Sequence, residues 1–391
     1  MAHKPVRIVL AANARPNVGG QGVNLAQFIE ALHPEFQVTM FGRAPYPGVP
    51  SDTVPESRRA KLMDRIPVVR GLHNHRDHLS NAHFDRCVAE RMPAADLFQG
   101  VTGQCLCSLR RAKEMGAFTI LDCITTHVDD YFEKRREESV KAGVRPAPSM
   151  AAREMALAEY AAAERIRVMS DYAKRTMVDH GVPERQVFVA RPPLAMEGFP
   201  VADFSAPRFR VSYVGMLVPA KGYRYLIDAF RSFEEPDSEM IFWTAPGNSV
   251  INRYMQRQMT LDPRIRMQPV SVRDNYGQVY GKSHVVVQPS LADGYSYAVM
   301  EAMASGLPVI VTSSTGSAEL IRDGENGYII PPCDAGAIRE RLTHLAGHPE
   351  LLRRMGAAAR ETIRSQNPKA FSDGYCAQIR TFISTGVPCS M

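Results

Sequence analysis

Short, continuous apolar runs alternate along this chain with longer segments of helical periodicity. Residues 6–12, 96–101, 119–123, 166–169 and 186–190 read as buried strands of a first half. Residues 23–32, 106–115, 131–142 and 150–163 read as the helices between them, and another starts after Ser170, a good N-cap. Residues 191–208 carry four prolines and little pattern, which predicts a linker. Beyond it, strands are predicted at 209–214, 240–245, 285–287 and 307–311. Helices are predicted at 223–230, 274–283, 297–305, 334–346, 349–365 and 371–383. Strands that alternate with helices imply parallel sheets, hence an α/β protein. At 391 residues the chain exceeds one ordinary core, so two domains are expected, 1–195 and 209–370.

One stretch breaks the rhythm. Residues 42–79 have poor periodicity and prolines at 45, 47, 50, 55 and 67. Between Arg58 and Arg76, six basic residues (Arg58, Arg59, Lys61, Arg65, Arg70, Arg76) face only Asp64. Such a run suits a solvated loop, and equally peripheral contact with an anionic membrane or a hold on an anionic acceptor. His73, His75, His78 and His83 lie close in sequence without a carboxylate or cysteine pattern, so they read as surface histidines.

Composition narrows the class. With 45% hydrophobic and 23% charged residues and no apolar run of membrane-spanning length, the chain reads as soluble. The basic lead at the N-terminus lacks the apolar core of a secretory signal. Seven scattered cysteines fit free thiols in a reducing cytoplasm, and Cys105-Leu106-Cys107 lacks the second ligand pair of a zinc site. Asp129 and Asp130 open a helix, where acids suit the dipole, so no metal is assigned to them. The formal charge of +6 is spread over both halves, which argues against a nucleic-acid partner.

Candidate chemistry concentrates in residues 288–330. A strand, a loop holding Gly294, a helix from Tyr297, Gly306 with Pro308, and a second strand make a βαβ unit. Such units take ligands beyond the strands' carboxyl ends. Backbone N–H groups of Gly294, Tyr295 and Ser296 at the helix start suit an anion. Asp293 and Glu301 are instead suited to neutral hydroxyls, as on a ribose or hexose. The set points to phosphate between two sugar rings. In the first half, the loop 13–22 carries GGQG, but Leu25 stands where a dinucleotide fingerprint needs its third glycine.

The stretch resembles the signature of the family 4 (group 1) retaining glycosyltransferases: two acids separated by seven residues, then EAMA, glycine, and Pro-Val. Here these are Asp293, Glu301-Ala302-Met303-Ala304, Gly306 and Pro308-Val309. The downstream motifs match at Thr315–Glu319 and Gly324–Ile330. The resemblance implies a GT-B fold, two Rossmann-like domains facing each other across a cleft, with the C-terminal segment 371–391 crossing back to the first. It implies transfer of a hexose-type sugar from a UDP- or GDP-sugar, with retention, to a hydroxyl of a glycan, lipid-linked or small-molecule acceptor. The setting would be polysaccharide or glycoconjugate biosynthesis in the cytoplasm, with no metal or further cofactor required.

By the same resemblance, Gly19 and Gly20 would lie against donor phosphates or acceptor, and His127 near the donor sugar. Gly215 and Lys221-Gly222 would meet the diphosphate. The nucleobase would be held near Val270 through backbone groups, the hexose by Asp293, the ribose by Glu301. Two positions depart from the pattern. Met216 replaces an arginine, for which Arg224 or Arg273 are the candidate substitutes, and Asp293 replaces a glutamate, one methylene longer. These departures keep open a catalytically degenerate binding or scaffold subunit. A sugar-nucleotide epimerase is a third reading, which the motif order disfavours.

Overall fold

The computed structural model describes residues 5–65, 73–141, 143, 150–191, 193–245, 249–269 and 276–385. The chain divides into two compact units. The first comprises Met1–Phe132, Ala147–Pro192 and Pro368–Met391, and the second Glu133–Pro146 and Pro193–Asn367.

The first unit is built on a sheet of seven parallel strands. These are β1 (Arg7–Ala11), β2 (Gln37–Gly42), β3 (Ser51–Thr53), β4 (Leu97–Val101), β5 (Phe118–Cys123), β6 (Arg165–Val168) and β7 (Val187–Val189). Their order is β3-β2-β1-β4-β5-β6-β7, so the winding reverses between β1 and β4. The central strands are apolar on both faces because helices cover both, which is why they read as unbroken runs. The helices are α1 (Gly19–Leu32), α2 (Arg58–Arg65), α3 (His73–Arg91), α4 (Leu106–Glu114), α5 (Val128–Lys141), α6 (Met150–Ala162) and α7 (Asp171–Asp179). Ser170 caps α7 as expected, its hydroxyl accepting the Ala173 N–H. The stretch of poor periodicity holds β3, α2 and the start of α3 rather than one loop. Of its basic residues, Arg70 lies outside the described residues.

One charge is sealed inside this unit. Arg167, in the middle of β6, is fully buried. Its guanidinium donates to Asp122 Oδ1 at 2.7 Å, Asn24 Oδ1 at 2.9 Å and the Ala190 carbonyl at 2.8 Å, over the Phe28 ring at 4.7 Å. Burying an ion is expensive unless partners replace its water. Here α1, β5 and the chain after β7 supply them, and Nη2 is left without a partner among the described residues.

The second unit has six parallel strands: β8 (Phe209–Val214), β9 (Ser238–Trp243), β10 (Ile265–Gln268), β11 (Val285–Gln288), β12 (Val309–Thr312) and β13 (Tyr328–Ile330). Their order is β10-β9-β8-β11-β12-β13, with the reversal between β8 and β11. Six helices flank them: α8 (Tyr223–Arg231), α9 (Ser249–Leu261), α10 (Tyr276–Val279), α11 (Tyr297–Ala304), α12 (Ala335–Ala346) and α13 (Pro349–Arg364). Helix α9 was not expected; its polar sequence hides a stripe in which Ile251 and Met255 are buried. The helix predicted at 274–283 is confined to α10 within the described residues.

The last helix, α14 (Pro368–Thr385), counts with the first unit. Its Tyr375 hydroxyl donates to Gln99 Oε1 at 2.9 Å, and its ring lies 4.9 Å from Phe28. No described helix is long and apolar enough to cross a membrane.

Asp122→Ala should strand the Arg167 charge in a dry core. The expected loss is about 3–5 kcal/mol of stability, against a smaller loss for Asp122→Asn. Urea unfolding followed by circular dichroism measures both.

Candidate functional site

In the second unit the reversal point between β8 and β11 brings two loops together, 215–222 after β8 and 289–296 after β11. Their joint is steric. Gly222 has φ +66°, and a Cβ there would stand 1.9 Å from the Pro289 carbonyl oxygen. Only glycine permits that approach. Beside it the Leu291 N–H donates to the Ala220 carbonyl at 2.8 Å. A single turn of 3-10 helix, Pro219–Lys221, then delivers Lys221 to the loop opposite.

Lys221 Nζ donates to Asp293 Oδ2. The lysine side chain is 27% exposed and the aspartate 9%, so the pair is half sealed, its open side belonging to the lysine. The backbone of Asp293 is pinned by Ser314 and Gly316, with its N–H to the Ser314 carbonyl at 3.2 Å and its carbonyl to the Gly316 N–H at 2.9 Å. Ser290 Oγ donates to the same Oδ2 at 3.4 Å. Gln288, at the end of β11, turns its amide N–H to the Val214 carbonyl, while its Oε1 is buried with no partner among the described residues.

The start of α11 is clamped from the segment after β12. Thr315 accepts the Ser317 N–H, and Ser317 Oγ accepts the Ser296 N–H at 2.6 Å. Of the three N–H groups expected to meet an anion, that of Ser296 is therefore engaged internally. One turn further, Glu301 Oε2 accepts from the Tyr280 hydroxyl at 2.7 Å, and Oε1 from Tyr276 at 3.5 Å. Tyr280 is fully buried, and burial with the neighbouring carboxylate drives its phenol pKa well up, so it is a donor at any ordinary pH. Met216 projects into solvent, 70% exposed, in the loop that carries Lys221. Of its candidate substitutes, Arg224 lies over the Tyr254 ring at 5.3 Å, and Arg273 lies outside the described residues.

The first unit holds His127 at the start of α5, only 2% exposed. Its Nδ1 accepts the Asp129 N–H at 3.2 Å, which places the proton on Nε2. The ring stacks on His180 at 4.5 Å and lies 5.2 Å from Tyr160. Burial and the His180 neighbour push its pKa down to about 4. It is a neutral imidazole at physiological pH.

Residues 202–362 match the family described as glycosyl transferases group 1. The match covers the second unit from the end of the linker to the end of α13, and less than half of the chain. Among relatives, a D-inositol 3-phosphate glycosyltransferase of Corynebacterium glutamicum is 29% identical over 163 residues, 40% of this chain and 39% of that protein. The chain spans between about a fifth and a half of the length of the first curated relatives it matches. Among solved structures, sucrose-phosphate synthase from Thermosynechococcus elongatus superposes with TM-score 0.71 at 20% identity, covering 97% of this chain and 100% of that one. Anabaena Alr3699/HepE in complex with UDP-glucose gives 0.71 at 14% identity, covering 96% and 99%. The fold is GT-B.

Within the matched residues, Gly215, Lys221, Asp293, Gly294, Tyr295, Ser296 and Glu301 all fall on or just beyond the loops at the β8/β11 reversal. Val270 lies outside the described residues. Of the downstream glycines, Gly327 is structural. Gly327 packs where a Cβ would stand 2.8 Å from the Val309 carbonyl, and the buried Asn326 amide ties Leu320 to Thr362. In the first unit Gly19 and Gly20 open α1 instead of lying in the loop before it. The sterically required glycine is Gly22, whose Cβ would meet the Arg15 carbonyl at 2.0 Å. Sequence reasoning passed over Gln288, Tyr280 and Tyr276. An unaccompanied glutamine closing a Val-Val-Val strand was the one available signal.

The depressed pKa of His127 predicts a stability change with a definite sign. The folded value lies below the ordinary 6.5, so the unfolded chain binds the extra proton first. Stability is full above pH 6.5 and falls as pH drops toward 4, by about 3 kcal/mol from this residue. Melting temperatures from pH 4 to 7 should therefore vary less in His127→Gln than in the parent protein.

Proposed function

We propose that this protein is a retaining glycosyltransferase that moves a hexose-type sugar from a UDP- or GDP-sugar to an acceptor hydroxyl. The observation that carries the reading is the Lys221–Asp293 pair at the reversal of the second sheet, where a cation and a carboxylate share one partly open site. Lys221 neutralises the diphosphate, and most strongly as it leaves, when its negative charge is greatest. Backbone N–H groups of Gly294 and Tyr295 face the same phosphates. Asp293, released from part of its hold on Lys221, accepts hydroxyls of the hexose. Glu301 accepts the ribose hydroxyls beside the two tyrosines that aim it. For His127, neutral and with its proton on Nε2, the proposed role is a hydrogen bond to a sugar hydroxyl.

No group of this chain is assigned as a covalent nucleophile. In the proposed step the acceptor oxygen bonds the anomeric carbon on the face the phosphate leaves, and the departing phosphate takes the acceptor's proton. Lys221 supplies the charge neutralisation without a resident metal or cofactor. The acceptor is a glycan, a lipid-linked saccharide or a small metabolite, used in polysaccharide or glycoconjugate synthesis in the cytoplasm or at the inner membrane face. One similar protein is named a D-inositol 3-phosphate glycosyltransferase, which supports including phosphate-bearing polyols among the acceptors to be tried.

A binding or scaffold subunit is the competing reading, favoured by the exposed Met216 where the family's second phosphate cation stands. Purified protein with UDP, GDP and their common sugars decides between them. A thermal shift with one nucleotide and turnover of its sugar, with the anomeric configuration kept by NMR, is expected. Absence of both defeats the enzyme. Lys221→Ala should lower kcat/KM about ten- to a hundredfold, the worth of one charge-assisted hydrogen bond of about 1.5–3 kcal/mol. Glu301→Ala should raise the donor KM and abolish the nucleotide thermal shift, and EDTA should leave the rate unchanged.

A further inference from the structure

The first unit contains a cavity of about 640 Å³ that none of the donor chemistry uses. It lies beyond the carboxyl ends of β1, β2 and β3, where an open parallel sheet presents its ligands. Four cations line it, Arg15, Arg43, Lys61 and Arg76, against two carboxylates, Glu56 and Asp77. The excess of positive charge is concentrated in one small polar space.

The cations fall into two kinds. Arg43 is fixed: its guanidinium donates to Asn13 Oδ1, to the Val54 carbonyl at 3.0 Å and to Ser80 Oγ at 2.9 Å, over the Phe84 ring at 5.5 Å. Three of its N–H bonds are thus used to set its plane, out of the five a guanidinium carries. Arg76 is paired with Glu56 at 3.2 Å and Asp77 at 3.6 Å. Arg15 and Lys61 are exposed and have no ion-pair partner among the described residues. The loop carrying Arg15 is held by backbone, since Gly22 lies against the Arg15 carbonyl and its own carbonyl accepts the Asn17 N–H at 2.8 Å. Amides of Gln21 and Asn81 complete the wall.

A planar guanidinium fixed beside exposed cations recognises an oxyanion, and amides beside it recognise hydroxyls. The volume is that of a small-molecule site. We infer that this cavity binds a sugar or polyol bearing a phosphate or carboxylate, with Arg43 orienting the acid and Arg15 and Lys61 closing on it. That this ligand is the acceptor rests on the glycosyltransferase reading; that the cavity binds it does not.

Calorimetric titration of the full-length protein tests it, with glucose 6-phosphate, glucuronate, glucose and inorganic phosphate as probes. The acid-bearing sugars should bind at least about tenfold more tightly than glucose or inorganic phosphate, and Arg15→Ala and Lys61→Ala should each weaken them about three- to tenfold while leaving UDP affinity unchanged. Equal binding of glucose, equal binding of inorganic phosphate, or indifference to both substitutions overturns the inference. Loss of UDP binding with the sugar acids still bound would sink the donor reading and spare this one. Sedimentation with phosphatidylcholine vesicles, with and without phosphatidylinositol, identifies the source of the acid. Pelleting that Lys61→Ala weakens assigns it to a lipid headgroup, and no pelleting assigns it to a soluble acceptor; either result upholds a cavity that takes acids.

Discussion

The second unit depends on the contact between Gly222 and the Pro289 carbonyl. Two loops leave neighbouring strands whose crossovers run in opposite directions, so nothing in the sheet itself holds them together. The missing side chain at 222 lets one backbone lie directly on the other, and the Leu291 N–H fastens it. Everything downstream follows from that contact. The helical turn before it aims Lys221, and the loop after Pro289 presents Asp293 at bonding range. A larger residue at 222 would separate a cation from a carboxylate more than seventy positions away in the chain.

The two sheets treat charge in opposite ways. Arg167 is enclosed by three other segments of the first unit and serves cohesion, since it is closed off from solvent even though its Nη2 has no partner among the described residues. Lys221 has one carboxylate partner and a partly open face, and that incomplete enclosure leaves it able to exchange partners. Coulomb attraction grows as water is removed, while desolvation grows faster for an ion left alone. A cation able to exchange partners therefore sits at the sheet's rim, not in its core.

Much of this was legible in the order of residues. Buried parallel strands are continuous apolar runs, and 285–287 or 119–123 admit no other reading. The acid spacing around the start of α11 and the Lys-Gly pair are local signals, and they fall on one reversal point. What the chain order concealed was tertiary. Helix α9 is polar enough to pass for loop because only a narrow stripe is buried. GGQG drew attention to Gly19 and Gly20, whereas the crowding lies at Gly22, a fact of how the loop folds back. The tyrosines that hold Glu301 come from a different helix, and no spacing links 276 and 280 to 301. Gly327 and Asn326 resemble binding motifs but fasten β13 to its neighbours.

The tyrosine grip on Glu301 has a consequence for affinity. A free glutamate side chain samples many rotamers, and freezing it costs up to about 1.5–2 kcal/mol. Here folding has already immobilised it against a phenol that stays protonated. An incoming diol would meet an acceptor whose orientation is settled beforehand, so selectivity at this position stems from rigidity acquired long before any encounter.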